Sequence, residues 1–487
     1  MTSTHHFAHI PFTSCVRAGV LALAVSTSCR CDADTTSQPV SEHIAIPGTQ
    51  VTQTLWNIYM IAHTIAPIEI SAHSDFVAQQ ETVPQARAAL LPKIAVTASD
   101  ARDGANLNAE GNTAYPSKGY TISLRQNLFD APDWKTYQQA KAGATRARVQ
   151  YSTTEQLLML QICESYFSIL AAQDDLRFAT HHAQMLRDQL DLAKRRYEQG
   201  DATIVDMQEA EAELGLANAD ALAAANSVRR QRADLHRRAG LDFNALAILP
   251  DTADLSSFQE TDENAWVSLA VTHSPDVEQQ RLTQYIAELE VQKSHEAFLP
   301  TVSVTLSHSA GNLEYLNDQV SIGTGSNANS FRQGSSNVAM LQASIPIFDG
   351  FSTLSKEREA RALKDKADAD LDNARLNAEA QEQQIYLDLD NAFARARTLN
   401  DASNASRLAT ESNRAAYAVG LRINSDVLRA EDVVYSTQRD LVHSRYDIVL
   451  DHLRLRANVG ELSEDDLRAV DAMLISPAPD SPPPITQ

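Results

Sequence analysis

Two kinds of hydrophobic spacing alternate along this chain, and each occurs twice. Ile94, Val96 and Ala98 alternate with Ala95, Thr97 and Ser99, and later Val302, Val304 and Leu306 alternate with Ser303, Thr305 and Ser307. Downstream of each, the pattern returns. Tyr120, Ile122, Leu124 and Leu128 stand against Thr121, Ser123, Arg125 and Asn127, and Leu341, Ala343, Ile345 and Ile347 stand against Gln342 and Ser344. A period of two predicts strands with one apolar and one polar face. Runs of about ten residues suit a membrane-spanning strand and a half-buried soluble strand equally. Segments rich in Gly, Asn and Ser, 102–118 and 311–337, predict the loops between them. The stretches from Pro67 to Leu91 and from Pro275 to Leu299 are helix-compatible.

The other spacing is helical and very long. Pro132 is placed as a first-turn proline, and from there to Gln199 the only glycine is Gly143. The second copy, 351–419, has neither Pro nor Gly. Such a helix is about 100 Å long. Gly200 and Gly420 predict C-caps. A second helical stretch follows each, 203–238 and 425–459. The apolar stripe is thin and rich in alanine: Ala210, Leu214, Ala217, Ala221 and Ala225, then Val427, Ala430, Val434 and Leu441. Helices of this length need long partners, as in coiled coils.

The two halves are copies. Leu91-Pro92-Lys93-Ile94-Ala95-Val96-Thr97-Ala98-Ser99 recurs as Leu299-Pro300-Thr301-Val302-Ser303-Val304-Thr305-Leu306-Ser307, and Pro67 and Pro275 keep the same offset. Leu128-Phe129-Asp130 and Ile347-Phe348-Asp349, then Gly200 with Asp206 and Gly420 with Asp426, come after one short insertion. Ordered landmarks of this kind mark a tandem repeat. The organisation expected is a signal segment at 1–31, a first repeat at 50–238, a linker at 239–265, a second repeat at 266–460, a closing segment at 461–475 and a disordered tail at 476–487.

Charge and cysteines narrow the function. The net charge of −22 argues against a nucleic-acid partner, which requires a basic face. Three of the four cysteines lie in the first 31 residues, so Cys163 has no partner in the body of the chain and is expected to be a small core residue. Residues 1–31 lack acidic side chains, and Ala18 to Val25 is a short apolar run after Arg17, the pattern of a secretory signal. Ser26-Thr27-Ser28-Cys29 is similar to a lipoprotein cleavage box without its leucine. No later stretch is apolar enough for a membrane helix, which leaves an exported protein or a membrane β-barrel. The sequence contains no HExxH, P-loop, GxGxxG or GxSxG, and no histidine pair at metal-binding spacing, so no enzyme, cofactor or metal is expected.

Two hairpins give four strands, and four strands cannot close a barrel in hydrocarbon. If they span a membrane, copies of the chain must assemble. The ordered landmarks, with the turns Arg196-Tyr197-Glu198-Gln199-Gly200-Asp201-Ala202-Thr203-Ile204-Val205-Asp206 and Ala416-Tyr417-Ala418-Val419-Gly420-Leu421-Arg422-Ile423-Asn424-Ser425-Asp426 and the closing Ala457-Asn458-Val459-Gly460-Glu461-Leu462, resemble the TolC-like outer membrane efflux and secretion channels. The resemblance covers about residues 50–475. It implies a mixed α and β fold: a homotrimer with a 12-stranded outer-membrane barrel continued by a 12-helix periplasmic tunnel. It implies an exit channel for small molecules or unfolded polypeptides, fed by an inner-membrane transporter through a periplasmic adaptor and seated in outer-membrane lipid. On matching positions Tyr417 and Arg422 would bond toward Asp206, and Asp426 would join a carboxylate ring at the narrowest point. Arg429 stands where the pattern has a second Asp and would pair with Asp426. Gly200, Val419, Gly420 and Leu421 would be the adaptor-docking tips. The alternative weighed is a periplasmic helical-hairpin adaptor without its own pore.

Overall fold

In the computed structural model, residues 53–107, 111–200, 202–240, 245–312 and 333–476 are described. The expected signal segment, Cys29, Asp201 and the tail beyond Ser476 lie outside them.

Four strands form one antiparallel sheet in the order β1-β2-β3-β4: β1 (Lys93–Leu107), β2 (Gly111–Phe129), β3 (Thr301–Asn312) and β4 (Gln333–Ser344). The register aligns the apolar positions. Ile94 faces Leu124, Val96 faces Ile122, Leu124 faces Leu306, and Val304 faces Leu341. The complementary rows are polar, and the Thr121 and Ser309 hydroxyls meet across β2 and β3 at 2.8 Å. The alternation read from sequence is therefore a largely apolar face running across both repeats, interrupted by Gln126 and by the His308–Asn337 pair. Ile94, Val96 and Leu341 on that face are each about 70% exposed in the chain, which a water-facing sheet would not tolerate. The strands are longer than the ten residues expected. The polar segment 102–118 is mostly strand rather than loop, because β1 and β2 stay paired as far as Leu107 and Gly111.

The helices match the long-hairpin reading. α4 (Ala131–Gln199) has 69 residues and α8 (Ser352–Ala418) has 67, with partners α5 (Ile204–Ala239) and α9 (Asn424–Asn458). Asp130 caps α4 by accepting the Asp133 N–H at 3.2 Å, with Pro132 in the first turn. Gly200 (φ 84°) ends the helix in the left-handed conformation, which costs glycine nothing. The first repeat's approach helix is broken into α2 (Pro67–Gln80) and α3 (Thr82–Arg87), whereas its counterpart α7 (Pro275–Glu296) is continuous. Pro84 sits in the short second piece and has no equivalent in α7.

The largest core lies where the helices cross the connecting segments. Tyr166, Phe167, Ile169 and Leu170 of α4 pack with Leu453 and Leu455 of α9, with Leu246 and Leu249 of the linker, and with Leu467 and Val470 of α10 (Glu464–Met473). The contribution of α1 (Leu55–Ile65) was not read from sequence: Leu55, Ile58, Tyr59 and Ala62 are all buried in the same cluster. Short bridges, Gln53 with Leu246 and Ile248 with Ile475, stitch the band together, and the Tyr166 hydroxyl donates to the Ala247 carbonyl at 2.7 Å. α6 (Glu263–His273) begins the second repeat.

Cys163 sits fully buried in this core, and burial pushes its thiol up to about 12. The thiolate is the reactive form. Peptide mapping after iodoacetamide treatment at pH 8 should therefore find Cys163 unmodified in the native protein and alkylated after denaturation. Native labelling at the rate of a small thiol would show that this core opens.

The hairpin tips as candidate functional site

The far ends of the helices carry the residues singled out from the turns. Both turns are closed by glycines in the left-handed region, Gly200 and Gly420 (φ 78°). The Gly420 N–H donates to the Tyr417 carbonyl at 3.1 Å and the Leu421 N–H to the Ala416 carbonyl at 2.9 Å, satisfying carbonyls the helix leaves free. The side chains around these turns are apolar and exposed: Val419 at 70%, Leu421 at 79%, and also Ile423, Ile204 and Val205. Space around Gly420 is open, so Gly420→Ala should cost only the backbone strain, about 1 kcal/mol. The check is a small fall in thermal midpoint with the oligomer intact.

The expected bonds from Tyr417 and Arg422 to Asp206 are not formed within one chain. Asp206 is occupied as the capping partner of α5. Its Oδ2 accepts from the Thr203 N–H at 2.9 Å and the Thr203 hydroxyl at 2.8 Å, and the Asp206 N–H returns a bond to the Thr203 hydroxyl. Arg422 turns along its own chain to Asp426, Nη1 to Oδ2 at 3.3 Å. Arg429 is exposed and does not pair with Asp426, whose partner is Arg422. The Tyr417 hydroxyl is out of solvent with no hydrogen-bond partner among the described residues.

Two residues that the sequence reading passed over hold the two hairpins together. Arg196, in the last turn of α4, lays its guanidinium 4.5 Å from the centre of the Tyr417 ring. It also donates to the carbonyls of Tyr417 at 3.4 Å and Ala418 at 3.3 Å, at the negative end of α8. Asn424 is fully buried; it accepts from Gln189 of α4 and donates to the Asp206 carbonyl of α5 at 3.3 Å. Farther along α9, buried Glu431 accepts from Arg414 of α8 at 2.9 Å, and the Thr410 hydroxyl donates to the Ala430 carbonyl at 3.0 Å. Arg196 lay inside a turn motif read for its glycine. Asn424 looked like an ordinary helix-start residue, and only its full burial distinguishes it.

Long paired helices continuing a sheet with an outward apolar face define an outer-membrane channel. No helix among the described residues is long and apolar enough to cross a membrane. The comparisons give the same class. A profile of the family described as outer membrane efflux protein matches residues 71–241 and 266–461. The chain is 28% identical over 399 residues to the alkaline protease secretion protein AprF of Pseudomonas aeruginosa, covering 80% of this chain and 81% of AprF. It is 28% identical over 425 residues to the outer membrane protein TolC of Vibrio cholerae, covering 87% and 94%. Among solved structures it resembles CusC with a TM-score of 0.72 at 14% identity, over 84% of this chain and 92% of that one. It resembles VceC of Vibrio cholerae with a TM-score of 0.68 at 18% identity, over 84% and 97%. The chain belongs to the outer membrane efflux protein family. It is an outer-membrane exit channel with the TolC-like fold, and neither the fold nor these relatives support the adaptor alternative.

Proposed function

We propose that three copies of this chain assemble into one conduit, with a 12-stranded barrel in outer-membrane lipid and a 12-helix tunnel in the periplasm. The carrying observation is that, among the described residues, β1 and β4 each pair on one side only, while the apolar face between them is exposed. An open edge cannot remain in hydrocarbon, where every unpaired backbone group is costly. Repetition of the chain is the economical closure, and the internal repeat makes such a ring nearly sixfold. The conduit performs no chemistry. It passes small molecules or unfolded polypeptides delivered by an inner-membrane transporter, and a periplasmic adaptor docks on the tips at Gly200, Val419, Gly420 and Leu421. The exposed Val419 and Leu421 support this, since monomeric surfaces seldom present such side chains together without a partner.

The tips also form the gate. Asp206, Tyr417, Arg422, Asp426 and Arg429 line its narrow end, with the unpartnered Tyr417 hydroxyl bonding to a neighbouring copy. Light scattering of the detergent-extracted particle should give a protein mass of three chains. A single-chain mass would remove the closed barrel and the conduit with it. Tyr417→Phe combined with Arg422→Ser should raise conductance in a planar bilayer, and unchanged conductance would take both residues out of the gate.

A further inference from the structure

Helix α2 is fastened to α4 through a carboxylate. Glu69, 4% exposed, is the one α2 residue buried in the chain. It lies in the first turn, just after the corner at Ala66-Pro67 that joins α1 to α2. That corner brings His63, in the last turn of α1, back toward it, with Nδ1 3.7 Å from Glu69 Oε1. Glu155 of α4 completes the group. One nitrogen of His63 and one carboxylate oxygen from each of Glu69 and Glu155 all lie within 4.8 Å of one another.

The surroundings hold the cluster without neutralising it. Tyr151, one turn before Glu155, donates its hydroxyl to Glu69 Oε1 at 2.7 Å. The ring of Tyr151 is stacked on Phe76 at 5.4 Å and meets His73 edge-on. Glu69 Oε2 and His63 Nδ1 are both out of solvent and have no hydrogen-bond partner among the described residues. Among the described residues, no lysine or arginine forms an ion pair with Glu69 or Glu155. Two carboxylates at this separation repel, and a buried carboxylate oxygen without a donor is costly. A bound cation would relieve both.

We propose that His63, Glu69 and Glu155 bind a divalent transition-metal ion of zinc type, which clasps the α1–α2 corner to α4. One imidazole with two carboxylates is a zinc-like donor set, and the imidazole disfavours calcium and magnesium. Metal–ligand bonds of about 2.1 Å place ligand atoms about 3.4 Å apart, so the group contracts by roughly 1 Å on binding, within reach of side-chain rotation. Tyr151 then orients Glu69 from behind, as outer-shell partners do. No spacing in the chain hints at this site, because its ligands come from three helices rather than from one motif.

The test uses the full-length protein in detergent, stripped with chelator and titrated with Co²⁺ and then Zn²⁺. The expected result is a tetrahedral cobalt absorption that zinc displaces, a retained content of one zinc per chain, and a zinc-dependent rise in thermal midpoint. His63→Ala and Glu69→Gln should lose all three, with helical circular dichroism intact. Glu155→Gln alters only a half-buried residue and keeps the test decisive if Glu69→Gln does not fold. Unmodified protein that binds no more zinc than Glu155→Gln, with no difference in cobalt absorption, overturns the proposal.

Discussion

Channels carrying Arg196→Ala together with Asn424→Ala should spend on the order of a hundredfold more time open in planar bilayers than unmodified channels. Arg196 contributes a cation–π contact worth about 1 kcal/mol and two bonds to the end of α8. Asn424 contributes two buried bonds with a net worth of about 1 kcal/mol or more. Both residues tie the first hairpin to the second, so relative movement of the hairpins must break them. In the proposed trimer, three chains multiply a loss of about 2 kcal/mol to about 6, and a pore that loses half of it on opening shifts by about 3 kcal/mol. At about 1.4 kcal/mol per factor of ten, that is the hundredfold stated. A single-channel record indistinguishable from the unmodified protein would show that these links are static struts, and gating would then rest on contacts between copies.

The two kinds of element were legible for different reasons. The strands announced themselves by strict alternation, and the repeat supplied two independent copies of each signal. The long helices were legible by exclusion, since the second copy has no Pro or Gly over nearly seventy positions, the first has only Gly143 after Pro132, and glycines stand where the helices end. Contact at long range stayed hidden. Helix α1 offered an uncharged but unremarkable stretch, and only its packing against Tyr166 and Phe167 shows that it belongs to the core. The strand ends were misjudged for the converse reason. Polarity in 102–118 was read as a loop, but β1 and β2 stay paired as far as Leu107 and Gly111.

The tip residues repeat the lesson. Asp206, Arg422 and Asp426 were singled out by position, and their bonding within the chain differs from what was expected. A short-range capping partner, Thr203, outcompetes Tyr417 for Asp206, and an i, i+4 contact outcompetes any bond across the tip for Arg422. Local geometry wins inside a single chain because it needs no loop to be ordered. Contacts between copies are where Tyr417 would find its partner.

Raising the pH from 5 to 8 should destabilise this protein through one carboxylate, and Glu382→Gln should remove that part of the loss. Glu382 lies on the inner face of α8 and is fully buried. Asn458, at the end of α9, donates to its Oε2 at 2.7 Å, while Oε1 has no partner. Burial pushes its carboxyl up from the ordinary value to about 7, and the Asn458 bond only partly opposes this. In the unfolded chain the group titrates near 4.5. Between those values the folded state holds a proton that the unfolded state has released, so stability falls as pH rises through the interval. The contribution is fully present below pH 4.5 and fully lost above 7. A shift of this size, discounted for solvent screening, amounts to about 2 kcal/mol. Glutamine keeps the acceptor for Asn458 and never ionises. Glu382→Gln should therefore match the unmodified protein at pH 5 and exceed it by about 2 kcal/mol at pH 8 in denaturant unfolding. Every other titrating group is common to both proteins and cancels in the difference. Equal stability at both pH values would mean that Glu382 stays charged and hydrated in the assembled channel.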